Sequence, residues 1–262
     1  MRVLAIFLSM LLSSFFLQCQ ADSNRLITEA SGLLSSKKYP NVFWTHNDSG
    51  DKPYLYAIDA ETLEFISKIH VNDAKHKDWE DIAYFDGHIV IGDIGNNKRK
   101  RKSLKLYFIN EPNPYKDKKV TSQKRIKFTY ANSKGKKIKN YNSEALFSFR
   151  DALFVLTKHK KGKKTVLYKI EKNSAKKVAV YNIKGKVTAA DSRGDYVAIL
   201  TYDTLYLLEP SQQSDNIFDG KIHKKSIRVN KAEGVAFHKE NLHVIHENSD
   251  IFTYKISDII KD

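Results

Sequence analysis

The chain has 262 residues, enough for one large domain with a substantial buried core. Its 45 Lys and Arg outweigh 30 Asp and Glu, and the formal net charge of +15 attracts anions without specifying which. The single cysteine, Cys19, lies within the first 21 residues. For the rest of the chain this excludes disulfides, thiol catalysis and thiolate metal sites.

The N-terminal stretch has the pattern of a secretory signal peptide. Arg2 precedes an apolar run at residues 3–17, and Ala21 is a small residue suited to cleavage. A lipoprotein signal using Cys19 prefers a small residue where Gln18 stands, which favours simple cleavage near Ala21. We therefore expect a signal peptide over residues 1–21, one domain over residues 22–262, and a periplasmic or secreted location.

One sequence unit recurs along the chain: an acidic or hydroxyl residue, a short strand, a turn and further strands. Its copies begin at Ser31, Glu80, Glu144, Thr188 and Glu233, so the steps are 49, 64, 44 and 45 residues. Four strands in about 40–50 residues is the period of β-propeller blades. The pattern predicts an all-β propeller with five blades. Six blades would need one hidden within residues 100–141, where only two runs resemble strands.

The fourth strands and the closure of the ring follow from the same pattern. Fourth strands are predicted at residues 64–70, 124–130, 177–183 and 225–229, and the long second step holds an insert at 111–123. The last repeat has only three strands. We predict that residues 24–28 supply its fourth, so that the N- and C-terminal segments share a blade and no sheet edge is left exposed.

Carboxylates recur at the position where propeller inner strands reach the central tunnel. In the second repeat a hairpin brings Glu80 and Asp81 towards Asp93. Close carboxylates repel one another unless a cation compensates, although turns and caps favour the same residue types. The recurrence at Glu144 and Glu233 favours a ring of acidic side chains around one mouth of the tunnel.

Oxygen ligands of this kind suit a hard divalent cation, foremost Ca²⁺, which takes six to eight oxygens. The predicted carboxylate ligands are Glu80, Asp93, Glu144 and Glu233, and the predicted amide ligands are Asn47, Asn97 and Asn248. Zinc is disfavoured because the histidines are scattered and cysteine is absent after the signal.

Three motifs resemble the signature of a group of secreted bacterial β-propeller proteins. They are HNDSGD at residues 46–51, WEDIA at 79–83 and GDIGNN at 92–97, with weaker copies at 143–146 and 232–236. Asn96 departs from that signature, which more often has Asp, so position 96 is not predicted as an anionic ligand. More distantly the layout is similar to gluconolactonase, senescence-marker and phytase-like propellers. That resemblance implies a divalent ion at the tunnel mouth and hydrolysis of lactones or phosphoesters.

The chemistry expected of such a site is metal-assisted hydrolysis, since the chain has no Gly-x-Ser-x-Gly elbow for a serine nucleophile. Glu80 or Asp81 is the predicted general base, and Lys158 or His46 is predicted to stabilise developing negative charge. The substrate would be a small anionic or lactone-type molecule. The alternative is a non-catalytic ligand-binding or scaffolding propeller of the cell envelope.

Basic residues concentrate at residues 98–102, 134–139 and 158–164, each in a predicted turn between strands. Solvated loops are the favoured interpretation. The alternative is an interaction protein that binds an anionic envelope polymer through these loops. We expect a monomer.

Overall fold

The computed structural model describes residues 26–132 and 134–261. The predicted signal peptide and the first residues of the predicted N-terminal strand lie outside that part of the chain. The described residues form nineteen strands and one short helix. That helix is not long and apolar enough to cross a bilayer.

Antiparallel pairing collects the strands into groups that follow the chain. The first group is β1 (Ala30–Ser35), β2 (Val42–Asn47), β3 (Tyr54–Asp59) and β4 (Phe65–Asn72). The second is β5 (Asp81–Phe85), β6 (His88–Asp93), β7 (Leu104–Ile109) and β8 (Lys119–Ala131). The third is β9 (Ser143–Phe149), β10 (Ala152–Thr157), β11 (Thr165–Glu171) and β12 (Ser174–Tyr181). The fourth is β13 (Val187–Arg193), β14 (Tyr196–Thr201), β15 (Thr204–Pro210) and β16 (Gly220–Ser226). The last is β17 (Ala232–His238), β18 (Asn241–His246) and β19 (Ile251–Lys255), followed by helix α1 (Ile256–Ile260).

The first strand of each group faces a common axis. Strand β1 packs against β5 and β17, β5 against β9, and β13 against both β9 and β17. The approach of β1 to β17 is so close that a Cβ on Gly234 would overlap the backbone of Gly32. The first and last groups are therefore neighbours, and the five first strands form a ring.

The core consists of apolar clusters between neighbouring groups. Trp44 of the first group packs with Ile91 of the second, and Phe154 of the third packs with Ile199 of the fourth. Both faces of each inner strand are covered, so its residues are mostly buried rather than alternately buried and exposed. A further cluster contains Phe43 and Ile245, so the last group is packed to the first in the same way.

Strand β8 differs most from the sequence prediction. It begins at Lys119, inside the predicted insert, and its first residues pair in parallel with β4 from His70↔Lys119 onward. Its last residues pair in parallel with β12 from Ser174↔Thr129 onward. The insert therefore lengthens an outer strand that bridges three groups and joins β1 to β12 in one hydrogen-bonded sheet.

Two other predictions are wrong in detail. Strand β16 ends at Ser226, whereas the sequence predicted a strand at 225–229. Ile227 and Val229 alternate as strand residues do, but they lie beyond the strand and pack into the core between the fourth and last groups. The N-terminal strand predicted at 24–28 is not formed at residues 26–28. There the backbone N–H of Thr28 donates to Asn47 Oδ1 instead, over 3.1 Å. Among the described strands, β19 pairs only with β18, and α1 packs beside β16 and β19.

Candidate functional site

Three carboxylates form a group able to hold a metal ion at one end of the strand ring. One oxygen each from Asp48, Asp78 and Glu80 lies within 4.8 Å of the others. Two oxygens bound to one Ca²⁺ lie at most about 4.6–5.2 Å apart, because each bond is about 2.3–2.6 Å long. The spacing therefore suits a calcium-sized ion. We call these three residues the acidic cluster.

Backbone hydrogen bonds and strand geometry position the acidic cluster. Asp78 and Glu80 flank Trp79, and one oxygen of each belongs to the acidic cluster while the indole packs in the core between the first two strand groups. The Trp79 side chain is fully buried, and its Nε1 donates to the Lys75 carbonyl oxygen over 3.2 Å. The backbone N–H of Trp79 donates to the Asp48 carbonyl oxygen over 3.0 Å, which brings Asp48 beside the other two.

Gly95 leaves the space in which two of the carboxylates sit. Its N–H donates to the Asp78 carbonyl oxygen over 3.1 Å, and the Glu80 N–H donates to the Gly92 carbonyl oxygen over 3.0 Å. A Cβ on Gly95 would overlap both Glu80 Oε1 and the Asp78 carboxyl group. Only glycine at this position allows the observed side-chain arrangement.

Two oxygens of the acidic cluster are buried without a partner. Among the described residues, neither Glu80 Oε1 nor Asp48 Oδ1 accepts a hydrogen bond. Burial, together with the negative charge of Glu144, raises the pKa of Asp48 to about 7 and raises that of Glu80 well above its usual range. Unpartnered buried carboxylates are costly, so the cluster must either keep protons or hold a cation.

A cavity of about 340 Å³ opens beside the acidic cluster. Its lining includes Asp48, Asn97, Glu144, Lys158 and Glu233. We call it the acidic cavity. Its lining comes from all five strand groups or the loops next to their strands, as expected where inner strands end at one mouth. Ser31 also lines it, whereas Thr188 is buried and its Oγ1 donates to the Ala232 carbonyl oxygen over 2.7 Å.

Lys158 is the cation that pairs with a carboxylate of the acidic cavity. Its Nζ lies 2.7 Å from Glu144 Oε2, and Asn142 Nδ2 donates to Glu144 Oε1 over 2.6 Å. Burial alone would lower the pKa of Lys158, but Glu144 and Glu233 raise it above its usual range. Burial raises the pKa of Glu233 to about 8, although Lys158 opposes that shift. At neutral pH the cavity thus has a charged lysine beside a carboxyl group that retains its proton.

Three predicted metal ligands are engaged elsewhere. Asp93 forms an ion pair with Arg101, with 2.7 Å between Oδ2 and Nη2, and lines a different cavity. The Oδ1 of Asn47 accepts backbone N–H groups from the N-terminal segment. Asn248 is exposed in a turn, where it bonds to Asp250. Asn97 does line the acidic cavity, and its Oδ1 accepts from Asn142 Nδ2 over 3.1 Å.

Two predicted catalytic residues belong neither to the acidic cluster nor to the acidic cavity. The carboxylate of Asp81 is fully buried and accepts backbone N–H groups of Ile82, Leu146 and Ala190 over 2.9, 2.8 and 3.1 Å. It joins the second, third and fourth groups. Burial lowers the pKa of His46 to about 4, so the ring is neutral, and it packs edge-on against Trp79. Of the four predicted catalytic residues, Glu80 belongs to the acidic cluster and Lys158 lines the cavity.

Sequence reasoning did not assign ligand roles to Asp48 and Asp78. Asp48 belongs to the HNDSGD motif, and Asp78 directly precedes WEDIA. The signal for Asp78 is its position beside that motif, two residues before Glu80. Asp48 gave no comparable signal, because its place in the cluster depends on a backbone bond to another strand group.

No protein-family model and no curated protein sequence matches the chain. Among solved structures, the PQQ-bound aldose sugar dehydrogenase from Streptomyces coelicolor is similar, with a TM-score of 0.52 and 10% identity over 87% of this chain and 94% of the other. The nidogen–laminin complex gives a TM-score of 0.52 and 11% identity over 88% of this chain and 78% of the other. Both neighbours contain β-propellers, and at this identity they show the fold alone.

The class is therefore defined: the chain is an all-β propeller protein, as the repeats predicted. The resemblance to the secreted bacterial group stays a prediction, since no family model supports it.

Proposed function

We propose that this propeller binds a divalent metal ion, Ca²⁺, at the acidic cluster. The observation that supports it best is the pair of buried, unpartnered oxygens, Glu80 Oε1 and Asp48 Oδ1, in a group of three carboxylates. All candidate ligands are oxygens, which suits a hard cation. Because Gly95 has no side chain, the Glu80 and Asp78 carboxyl groups can lie together beside it, so the arrangement depends on glycine at this backbone position.

We further propose that the site is catalytic and hydrolyses a small lactone or phosphoester. Asp48 belongs to the acidic cluster and also lines the acidic cavity, so an ion there would be reached by water and substrate. A bound divalent ion supplies an activated water and polarises the substrate oxygen. Lys158 would stabilise negative charge developing on the substrate. Glu233, whose pKa is about 8, would exchange a proton with the reacting group.

A non-catalytic role is the second candidate. The acidic cluster joins the first and second strand groups, because Asp48 follows β2 whereas Asp78 and Glu80 precede β5. An ion held by all three would stabilise that contact whether or not a substrate binds. On this alternative, the protein is a ligand-binding or scaffolding propeller of the cell envelope, and calcium stabilises its closure.

The remaining proposals concern architecture and location. We infer that each strand group is one blade, giving five in all, because the first strands form a ring and each pair of neighbouring groups shares an apolar cluster. We propose a monomer that is exported to the periplasm or medium and begins near Asp22. N-terminal sequencing of the secreted fraction tests the last point, and retention of Met1 would contradict it.

Calcium titration followed by a substrate panel tests the proposed function. We expect calorimetry to show one Ca²⁺ site that Glu80→Gln abolishes and that exposed Glu61→Gln leaves intact. Lactones and phosphoesters are then assayed with and without chelator. Turnover that needs calcium and is lost in Glu80→Gln supports the hydrolase. Calcium binding without turnover of either substrate class supports the scaffolding role, and no calcium binding rejects both.

A further inference from the structure

We propose that a second, basic cavity next to the acidic cavity binds phosphate groups, and that the natural ligand is a small organic molecule carrying at least two of them. This substrate class rests on the proposed function, but phosphate binding by the basic cavity does not. The cavity has a volume of about 680 Å³. Its cations are Arg99, Lys158, Lys186 and the four lysines at residues 160–164. Among the described residues, its lining contains no carboxylate.

Backbone hydrogen bonds hold the basic loop, residues 158–164, in place. The Gly162 N–H donates to the His159 carbonyl oxygen, and the Gly185 N–H donates to the Gly162 carbonyl oxygen, each over 2.9 Å. A Cβ on Gly162 would lie 2.9 Å from the Gly185 carbonyl carbon. The basic loop is thus hydrogen-bonded to the segment that contains Lys186, and this bond brings cations from two loops to one cavity.

Ring contacts place the other cations. The Arg99 guanidinium lies over the Tyr141 ring, 4.5 Å from its centroid. Lys158 and Lys186 lie over the Tyr202 ring at 5.0 and 5.7 Å. Such contacts orient a cation without neutralising its charge. Burial lowers the pKa of His159, and the positive charges of Lys164 and Arg99 lower it further, as expected where positive charges concentrate.

The shape and charge of the basic cavity favour a compact ligand with several negative charges. Lys158 is paired with Glu144, but the other six cations converge on a lining without carboxylates and repel one another, and an anion relieves that repulsion. Phosphate offers several acceptor oxygens to lysine and arginine donors at once. A concave space of this volume is the size of a small-molecule site, whereas a polymer needs a charged track across the surface.

The two cavities share a wall, and this points to a ligand with two anionic groups. Asn97, Lys158 and Lys186 line both. One phosphate in the basic cavity would therefore leave a second within reach of the acidic cluster and its proposed ion. A lactone without charge would use Lys158 alone and would leave the other six cations of the basic cavity without a counter-ion. Of the two substrate classes proposed above, the basic cavity favours the phosphoester.

Calorimetric titration with inorganic pyrophosphate, in chelator, tests the basic cavity without the metal. We expect the parent chain to bind, and the Lys161→Gln/Lys164→Gln variant to bind about tenfold or more weakly, since it loses charged hydrogen bonds. The control is Lys116→Gln/Lys118→Gln, which removes the same net charge from exposed positions of the insert. It should bind as the parent does. No binding by the parent, or equal weakening in both variants, would overturn the proposal.

Two further measurements distinguish this proposal from the metal-site proposal and from binding of an anionic polymer. If the parent chain binds pyrophosphate in chelator but does not bind calcium, the metal site fails and the basic cavity stands. Retention on heparin that both double variants weaken alike, without pyrophosphate binding, would overturn the small-ligand proposal in favour of a polymer surface.

Discussion

The backbone N–H of Trp79 donates to the carbonyl oxygen of Asp48 over 3.0 Å, and this bond joins the first strand group to the second at the acidic cluster. The Trp79 indole is buried in the core, whereas the carboxylates of the residues on either side of it lie close to Asp48. The apolar packing of one side chain thus fixes the position of three charged ones. The proposed calcium site depends on this packing as much as on its ligands.

Calcium should raise the melting temperature of the protein. Free Ca²⁺ at about a hundred times its Kd adds about 2.7 kcal/mol to the free energy of unfolding. For a domain of this size each kcal/mol raises the melting temperature by about 2–4 °C, so we expect a shift of several degrees by scanning calorimetry. Glu80→Gln should shrink the shift and Glu61→Gln, on the surface, should not. An identical midpoint in chelator and in calcium would count against the site.

Gly95→Ala should weaken calcium binding without removing a ligand. The new Cβ would displace the Glu80 and Asp78 carboxyl groups, and the φ of Gly95 lies outside the left-handed region, so alanine adds no backbone strain. We expect calcium affinity to fall at least about tenfold, because misplaced oxygens no longer converge on one ion. Unfolding in chelator should change little. Calcium affinity equal to that of the parent would show that the space above Gly95 is not part of the site.

The calcium-induced shift should grow as pH rises. Without calcium, the raised pKa values of Asp48, about 7, and Glu233, about 8, mean that the folded chain holds protons that the unfolded chain releases at lower pH. Stability in chelator is therefore greatest in acid and falls as pH rises through these values. Calcium replaces the protons and removes this loss. Melting scans from about pH 5 to about pH 8 check the trend; a shift that shrinks with pH would contradict it.

Lys158→Met should destabilise the calcium-free protein and tighten calcium binding. The Lys158–Glu144 pair is nearly buried, with side-chain exposures of 15% and 3%, and losing one partner of such a pair costs about 3–5 kcal/mol. Removing a positive charge beside the acidic cluster favours a second cation. The control is Lys176→Met, which breaks an exposed pair with Glu171 and should cost about 1 kcal/mol or less. Denaturant unfolding and calcium titration measure both effects. Weaker calcium binding in Lys158→Met would be the opposite of the expected result.

Asp81→Asn should lower stability and leave calcium binding unchanged. One oxygen, Oδ2, accepts from both Leu146 N and Ala190 N, while Oδ1 accepts from Ile82 N. An amide cannot supply both acceptors, so at least one buried N–H loses its partner at a cost of about 1–3 kcal/mol. The exposed Asp151→Asn is the matched control. If Asp81→Asn instead abolished calcium-dependent hydrolysis in a fully folded protein, that result would support the sequence-based prediction of Asp81 as general base.

The repeat could be predicted from the sequence because each inner strand has Ser, Thr or Glu at or next to its start and is followed by a turn and a more apolar strand. The predicted starts at Ser31, Glu144 and Glu233 all fall in strands that border the acidic cavity. Strand ends were predicted less well. Ile227 and Val229 have the alternation of a strand but lie in a connection whose apolar side chains are buried, and local pattern cannot separate the two cases.

The sequence by itself determined that the chain is a propeller and that carboxylates meet near its axis, because both follow from a local pattern that repeats. Only the tertiary structure decided which carboxylates keep a free oxygen, because that depends on partners supplied by other segments. Asp93 forms an ion pair with Arg101. Asp81 accepts hydrogen bonds from the backbone N–H groups of Leu146 and Ala190, which lie 65 and 109 residues further along the chain. Glu80, next to Asp81 in the chain, keeps Oε1 unpartnered in the acidic cluster. Adjacent acidic residues in an extended segment point to opposite sides, and the groups that each one meets belong to different parts of the ring.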